Sequence, residues 1–280
     1  PVSLTWPSRG RYPRIPGGFV RAMSRARVLA IGDTHVGMKR THNEDTFMLA
    51  DEDNLYVVAD GMGGHASGEV ASKMAVETLR EFFRATSADP EATWPYKMDK
   101  ARGYEENRLI TGIKLANLRI HEAAHKNPQM HSMGTTVAGI LVVEDGVLIG
   151  HVGDSRVYRI RDGKMEQLTS DHSLLNDYIK MKRLSEEEIE NFPLKNVIVR
   201  ALGMKSTVKV DTVLDRPEIG DVYVLCSDGL CGPVTDPEIQ RIVTTQPDLQ
   251  TAANRLIEAA NESGGPDNIT VVLAKVMGLS

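Results

Sequence analysis

The sequence predicts an α+β protein built on antiparallel sheet, with amphipathic helices paired early and late in the chain. Four strand-like runs follow one another between residues 135 and 168, with Asp145-Gly146 and Asp162-Gly163 between them. Asp-Gly between apolar runs marks a tight hairpin, because such a turn needs positive φ. Helical periodicity comes in pairs at either end of this block, and consecutive hairpins argue against a doubly wound parallel sheet.

In chain order, 27–31, 46–50 and 55–59 read as short strands. Ser67–Arg84 reads as a helix with Val70, Met74, Leu79 and Phe82 near one face. Residues 85–104 are polar and contain prolines, the pattern of a loop or insertion. Glu105–Lys126 is a second helix, striped by Leu109, Ile113, Ala116, Ile120 and Ala124. The hairpin strands follow as 135–143, 147–152, 156–160 and 164–168. Residues 171–191 read as helical and highly charged, and 197–201, 208–214 and 222–227 return to strand. Thr235-Asp236-Pro237-Glu238 has the form of a capping box opening a helix whose Ile239, Ile242 and Val243 face inward. Asp248–Ser263 is another helix, stopped by Gly264-Gly265-Pro266, and Ile269–Val276 is a final strand. No internal repeat is present, and the pattern implies one continuous core.

Composition bounds the class. The 280 residues are 41% hydrophobic and 25% charged, as in an ordinary globular protein. No apolar run reaches the roughly 18–20 residues of a membrane span. Cys226 and Cys231 are the only cysteines, which points to a reducing, cytoplasmic compartment. Their spacing would supply half a zinc site with no second half; two small buried side chains is the plainer expectation. The net charge of −5 is uneven: residues 1–27 hold six arginines and no acid, and the rest carries a net −11. Nothing in this charge distribution suggests a nucleic-acid-binding core, and an acidic body instead suits divalent cations. The basic stretch, without helical or strand period, reads as a disordered extension over 1–26 with no apolar leader.

The informative acids sit at strand ends beside glycines: Ala59-Asp60-Gly61, Gly153-Asp154-Ser155, Ser227-Asp228-Gly229 and Pro266-Asp267-Asn268. A carboxylate there is rigidly held yet open to solvent, and the neighbouring glycine lets a carbonyl approach an ion. Mg²⁺ and Mn²⁺ take such oxygen ligands. Any one Asp-Gly reads as a turn; four such junctions exceed what turns need. A cysteine phosphatase is excluded, since Gly232 and Pro237 stand where an arginine would close the thiolate loop. Gly32-Asp33-Thr34-His35-Val36-Gly37 departs from the calcineurin-like pattern at Val36, and no nucleotide loop or H-E-x-x-H occurs. His121 and His125 are four apart on a helix but lack a third ligand, and the remaining histidines show no ligand-like pairing.

Seven strings, taken in order, resemble the metal-dependent protein phosphatases of type 2C (the PPM family), the bacterial branch in particular. They are Arg40-Thr41-His42-Asn43-Glu44-Asp45; Asp60-Gly61-Met62-Gly63-Gly64-His65 with Gly68-Glu69 and Ala71-Ser72; Gly134-Thr135-Thr136; Gly153-Asp154-Ser155-Arg156; Arg200-Ala201-Leu202-Gly203; Ser227-Asp228-Gly229-Leu230; and Gly265-Pro266-Asp267-Asn268-Ile269-Thr270. They span roughly residues 27–276.

The resemblance implies two antiparallel sheets packed as a sandwich flanked by helix pairs, with two Mn²⁺ or Mg²⁺ ions in a cleft at one edge. It implies that Asp60 bridges the ions, that the Gly61 carbonyl binds one, and that Asp228 and Asp267 complete the other. Glu44 and Asp45 would act nearby through water. Asp154 would help Asp228 hold a third, weaker ion, or else merely close a turn. Arg40 would clamp phosphate, or be a surface ion-pair partner. His65 would be the general acid, or fill a glycine-rich turn, and Asn268 would support the ligands from behind. The implied activity is hydrolysis of phosphoserine and phosphothreonine in proteins by a metal-activated water, with no phosphoenzyme, opposing bacterial Ser/Thr kinases. The alternative is a non-catalytic module that holds phosphoproteins. The expected protein is a monomer with a catalytic domain over 27–277. The segment 170–196 falls at the family's variable flap, and 85–104 departs from the family as an insertion.

Overall fold

The computed structural model describes residues 25–63, 67–89, 92–130, 132–181, 184, 188–189, 192, 194 and 197–279. The predicted basic extension over 1–26 therefore lies outside the described residues, except for its last two positions. His65, His131 and much of the predicted flap lie outside them too.

Two five-stranded antiparallel sheets form the centre. The first has the order β1 (Ala26–His35), β12 (Ile269–Leu279), β11 (Val222–Cys226), β8 (Arg156–Arg161), β9 (Lys164–Gln167). The second runs β10 (Asp211–Asp215), β7 (Gly146–Val152), β6 (Val137–Val143), β3 (Leu55–Ala59), β2 (Thr46–Ala50). A two-stranded ribbon pairs β4 (Gly61–Met62) with β5 (Gly134–Thr135). The helices are α1 (Ser67–Ala88), α2 (Tyr104–Lys126), α3 (Leu174–Met181), α4 (Asp228–Cys231), α5 (Asp236–Thr245) and α6 (Leu249–Glu262).

Strands at the sandwich centre are apolar on both faces, because each face meets a different layer. In β3, Leu55, Val57 and Ala59 face α1 and α2 while Tyr56 and Val58 face the other sheet. In β11, Val224 and Cys226 face α5 and α6 while Tyr223 and Leu225 point to the centre. The expected single core is thus three clusters, one between the sheets and one under each helix pair. Layering forces this result, since a sheet separates the side chains on its two faces.

The hairpins are present. Asp162 and Gly163 lie at φ 49° and 69° between paired Arg161 and Lys164, the mirror-image turn that Asp-Gly favours. At the other hairpin Val143 pairs with Gly146, so Glu144 and Asp145 form the turn, one residue earlier than the Asp-Gly reading placed it.

Several boundaries differ from the sequence reading. The first helix continues past Arg84 to Ala88, where buried Arg108 of α2 braces its last turns: the guanidinium donates to the Phe83 carbonyl at 2.7 Å, to Thr86 Oγ1 at 2.8 Å and to Ser87 Oγ at 2.6 Å. A cation near a helix C-terminus is also favourable against the helix dipole. Residues 197–201 are no strand; Ile198 and Leu202 make only isolated bridges, to Ser173 and Thr135. The helix expected over 171–191 is described only at Leu174–Met181 as a continuous element. The capping box at Thr235 is absent: Thr235 occupies the N-cap but its side chain makes no cap bond, and Pro237 sits in the first turn. Asp248, by contrast, caps α6 by accepting from the Thr251 N–H at 2.8 Å. Residues 92–103 are not loosely attached, since Trp94 packs edge-on against Phe82, with ring centroids 5.7 Å apart.

Phe83 is fully buried, with the Arg108 guanidinium 4.3 Å over its ring. Phe83→Ala is expected to cost about 3–5 kcal/mol, read as a lowered denaturant midpoint.

Candidate metal centre

All four acid–glycine junctions lie at one end of the sandwich. Asp60 follows β3, Asp154 follows β7, Asp228 follows β11 and Asp267 precedes β12. Glu44 and Asp45 lead into β2, whose first residue Thr46 pairs with Ala59.

Asp60 is the hub. Its backbone N–H donates to Thr136 Oγ1 at 3.0 Å, and its carbonyl accepts from the Thr136 N–H and the Thr135 hydroxyl, both at 2.8 Å. Gly134-Thr135-Thr136 is therefore the seat of this acid, a function the sequence reading left unassigned. Thr135 also exchanges backbone bonds with Leu202, which attaches the Arg200–Gly203 string to the same seat. Gly61 must be glycine: a Cβ there would collide with the carbonyls of Gly68 and Glu44.

Asp45 is buried and accepts from Ser227 Oγ at 2.8 Å, while Ser227 Oγ accepts from the Thr270 N–H at 3.0 Å. One hydroxyl thus ties three motifs together. Asn268 does likewise. Its Oδ1 accepts from the Glu44 N–H at 2.8 Å, and its Nδ2 donates to the Val36 and His42 carbonyls at 2.9 Å each. Ser72 Oγ donates to the Glu44 carbonyl at 2.6 Å. Arg40, half exposed, donates to Asp267 Oδ2 at 2.7 Å.

The carboxylates lie near enough to repel one another. Burial first, then the charges of Asp45, Asp228, Asp154 and Asp267, raise Asp60 well above the usual carboxylate range. Burial, with Asp228 and Asp267 adding repulsion, pushes Asp45 up to about 7. Burial and Asp228 likewise push Asp154 up to about 7. Asp228 is raised by burial and by Asp267. Among the described residues, Asp45 Oδ1 and Asp154 Oδ1 are buried and accept no hydrogen bond. Clustered acids with orphaned oxygens call for positive charge among them. The donors are oxygen throughout, so the residues fit hard divalent cations.

The sequence-predicted residues Asp45, Asp60, Asp154, Asp228 and Asp267 are thus brought together, with Glu44, Arg40 and Asn268 adjoining. His65 is outside the described residues. Of the histidines other than His121 and His125, His151 and His172 are buried, stacked on each other and grouped with Asp211, a proximity that sequence spacing does not show. Sequence spacing hides them because β7 and the segment after β9 meet only in three dimensions.

The family model described as protein phosphatase 2C matches residues 31–273. The serine/threonine phosphatase stp of Listeria innocua serovar 6a is 36% identical over 249 residues, covering 86% of this chain and 93% of its own. The Mycobacterium tuberculosis serine/threonine phosphatase PstP/Ppp superposes with a TM-score of 0.78 at 33% identity, covering 90% of this chain and 99% of that one. The catalytic domain of serine threonine protein phosphatase PstP in complex with two manganese ions gives 0.73 at 33% identity, with 90% and 99% covered.

Proposed function

The chain belongs to the protein phosphatase 2C family and is a metal-dependent protein serine/threonine phosphatase, and from that premise we propose that its carboxylate pocket holds two Mn²⁺ or Mg²⁺ ions, with a third, weaker ion beside them. Asp60 and the Gly61 carbonyl, with Asp228 and Asp267, are the ligands of the pair. Glu44 and Asp45 act around it through water, and Asp154 with Asp228 takes the weaker ion. The observation that carries this reading is the convergence of Asp45, Asp60, Asp154, Asp228 and Asp267 from five separate stretches of chain onto one pocket. The two manganese ions of the PstP complex support the choice of cation.

When bound, the ions lower the pKa of a water and offset phosphate charge. The protein does the rest. Arg40 offers a fork of N–H donors to the phosphate oxygens, and Asp267 holds that fork at the pocket rim. Thr135 and Thr136 fix the Asp60 backbone, and Ser227 fixes Asp45, so the acids are organised before substrate arrives. His65 donates a proton to the leaving serine or threonine oxygen, a task suited to imidazole chemistry. No side chain need bond to phosphorus. The substrates are phosphoproteins made by Ser/Thr kinases, and the enzyme acts in signalling in the cytoplasm as a monomer. No helix among the described residues is long and apolar enough to cross a membrane. A non-catalytic phosphoprotein-binding role is not favoured, because Asp60, Asp228 and Asp267 are all intact.

The test is hydrolysis of a phosphothreonine peptide with Mn²⁺, with and without EDTA. Activity should fall to background with the chelator and return on adding back Mn²⁺ in excess. Full activity in ion-free buffer would overturn the assignment. Phosphoproteomics after loss of the gene would identify the kinase substrates.

A further inference from the structure

His151, His172 and Asp211 offer ligand atoms within 4.8 Å of one another, at the base of the segment that follows β9. The arrangement is not that of a metal centre. The two imidazoles stack, with centroids 4.7 Å apart and planes 12° apart. A ring nitrogen holds its lone pair in the ring plane, so two stacked rings cannot both aim at one ion. His172 also has no lone pair to give: the Gly153 N–H donates to its Nδ1 at 2.9 Å. Its Nε2 lies between Asp211 Oδ2 at 3.0 Å and Arg200 Nη1 at 2.8 Å, so both of its in-plane neighbours are protein groups. Arg200 shares that carboxylate oxygen at 3.2 Å, placing a fixed cation where an ion would sit.

The same contacts hold something else. The His172 backbone N–H donates to the Gly153 carbonyl at 2.9 Å, so Gly153 is gripped by both the main chain and the side chain of one residue. Its neighbour Asp171 pairs with Arg156 through contacts of 2.8–3.1 Å. Asp171 and His172 thus fasten both ends of the Gly153–Arg156 turn, and Asp154 sits in its middle. His172 in turn is tied to β10 through Asp211, and its carbonyl accepts from the Val199 N–H at 2.9 Å.

We propose that His172 is a positioning residue that sets the Asp154 carboxylate for the weaker divalent ion, by splinting Gly153 to Asp211 of β10. The inference rests on the reading of Asp154 as an ion ligand. It makes the segment after β9 a determinant of metal occupancy, because whatever shifts that segment's root shifts Gly153. Burial keeps the imidazole neutral, lowering it to about 4, which preserves the acceptor at Nδ1 for the Gly153 N–H near neutral pH.

Two isosteric variants separate the contacts. Asn puts its Oδ1 where Nδ1 stands and keeps the acceptor for Gly153; Gln puts its amide nitrogen near Nε2 and keeps only the link to Asp211. Hydrogen exchange of the Gly153 amide, measured without metal, should quicken about tenfold or more in His172→Gln and stay near the parent in His172→Asn. Calorimetric titration with Mn²⁺ should show the weakest site loosened about tenfold or more in His172→Gln, with the tight sites unchanged and His172→Asn close to the parent. Asp154→Asn, run alongside, should loosen the same site. Parent-like Mn²⁺ binding in His172→Gln, or equal loss in the Asn and Gln variants, overturns the positioning role while a response in Asp154→Asn leaves the metal reading standing. No response in Asp154→Asn overturns the reading of Asp154 and the inference with it.

Discussion

Asp60→Asn should lower kcat by about 10³-fold or more while making the metal-free protein more stable, not less. The loss follows because Asp60 is the carboxylate that faces all the others. The gain follows from the direction of its shift. Asp60 binds its proton more tightly folded than unfolded, so the unfolded chain ionises first as pH rises. The folded state then pays for each carboxylate it must ionise in the pocket, and stability falls with pH above the ordinary carboxylate range. Asp45 and Asp154, raised to about 7, place this loss between about pH 4 and 7. Asparagine keeps the shape and removes the charge. Thermal midpoints in EDTA at pH 5 and pH 7.5 check it: the parent should drop between the two, and Asp60→Asn should drop less. Excess Mn²⁺ should restore the parent at pH 7.5, since an ion bound only by the folded state stabilises it. A variant that is inactive and also less stable without metal would mean that Asp60 holds the fold rather than the ions.

Arg40→Ala should reduce kcat/KM about 10²–10³-fold at saturating Mn²⁺. The guanidinium is half exposed at the rim and already oriented by Asp267 at 2.7 Å, so little reorganisation precedes its contact with phosphate. Arg40→Lys should recover only part of the loss, because an ammonium cannot offer the planar fork. Steady-state kinetics on a phosphothreonine peptide separates the roles. A fall in kcat marks an interaction strengthened in the transition state; a rise in KM alone marks ground-state binding. No change in either would reduce Arg40 to an exposed ion-pair partner of Asp267.

How much of this was legible in the sequence depends on the range of the interaction. Asp60, Asp154, Asp228 and Asp267 announced themselves locally, because a strand that ends in acid and glycine needs only its own neighbours to be read. Asp162-Gly163 was legible for the same reason: its turn is set by two residues' φ. The work of Ser227 and Thr136 was not, and only the family resemblance gave Asn268 a supporting role, since these side chains join stretches up to 232 residues apart, as the Asn268 bond to Val36 does. Their residue types occur in any turn. His172 stayed hidden because its meaning lies in Gly153 and Asp211, on two other elements. The strand expected over 197–201 failed for a related reason: its apolar alternation serves isolated bridges at Ile198 and Leu202 rather than a ladder. The end of α1 was misplaced because the residue that braces its last turns, Arg108, belongs to α2.

The central claim is that carboxylates from distant parts of the chain jointly hold divalent ions, and counting those ions tests it most directly. Metal-free protein dialysed against a low, fixed concentration of Mn²⁺ at pH 7.5 should retain two ions per chain, and Asp60→Asn should retain fewer than one. Parent protein that emerges without bound manganese, or an Asp60→Asn variant that keeps its full complement, would contradict it.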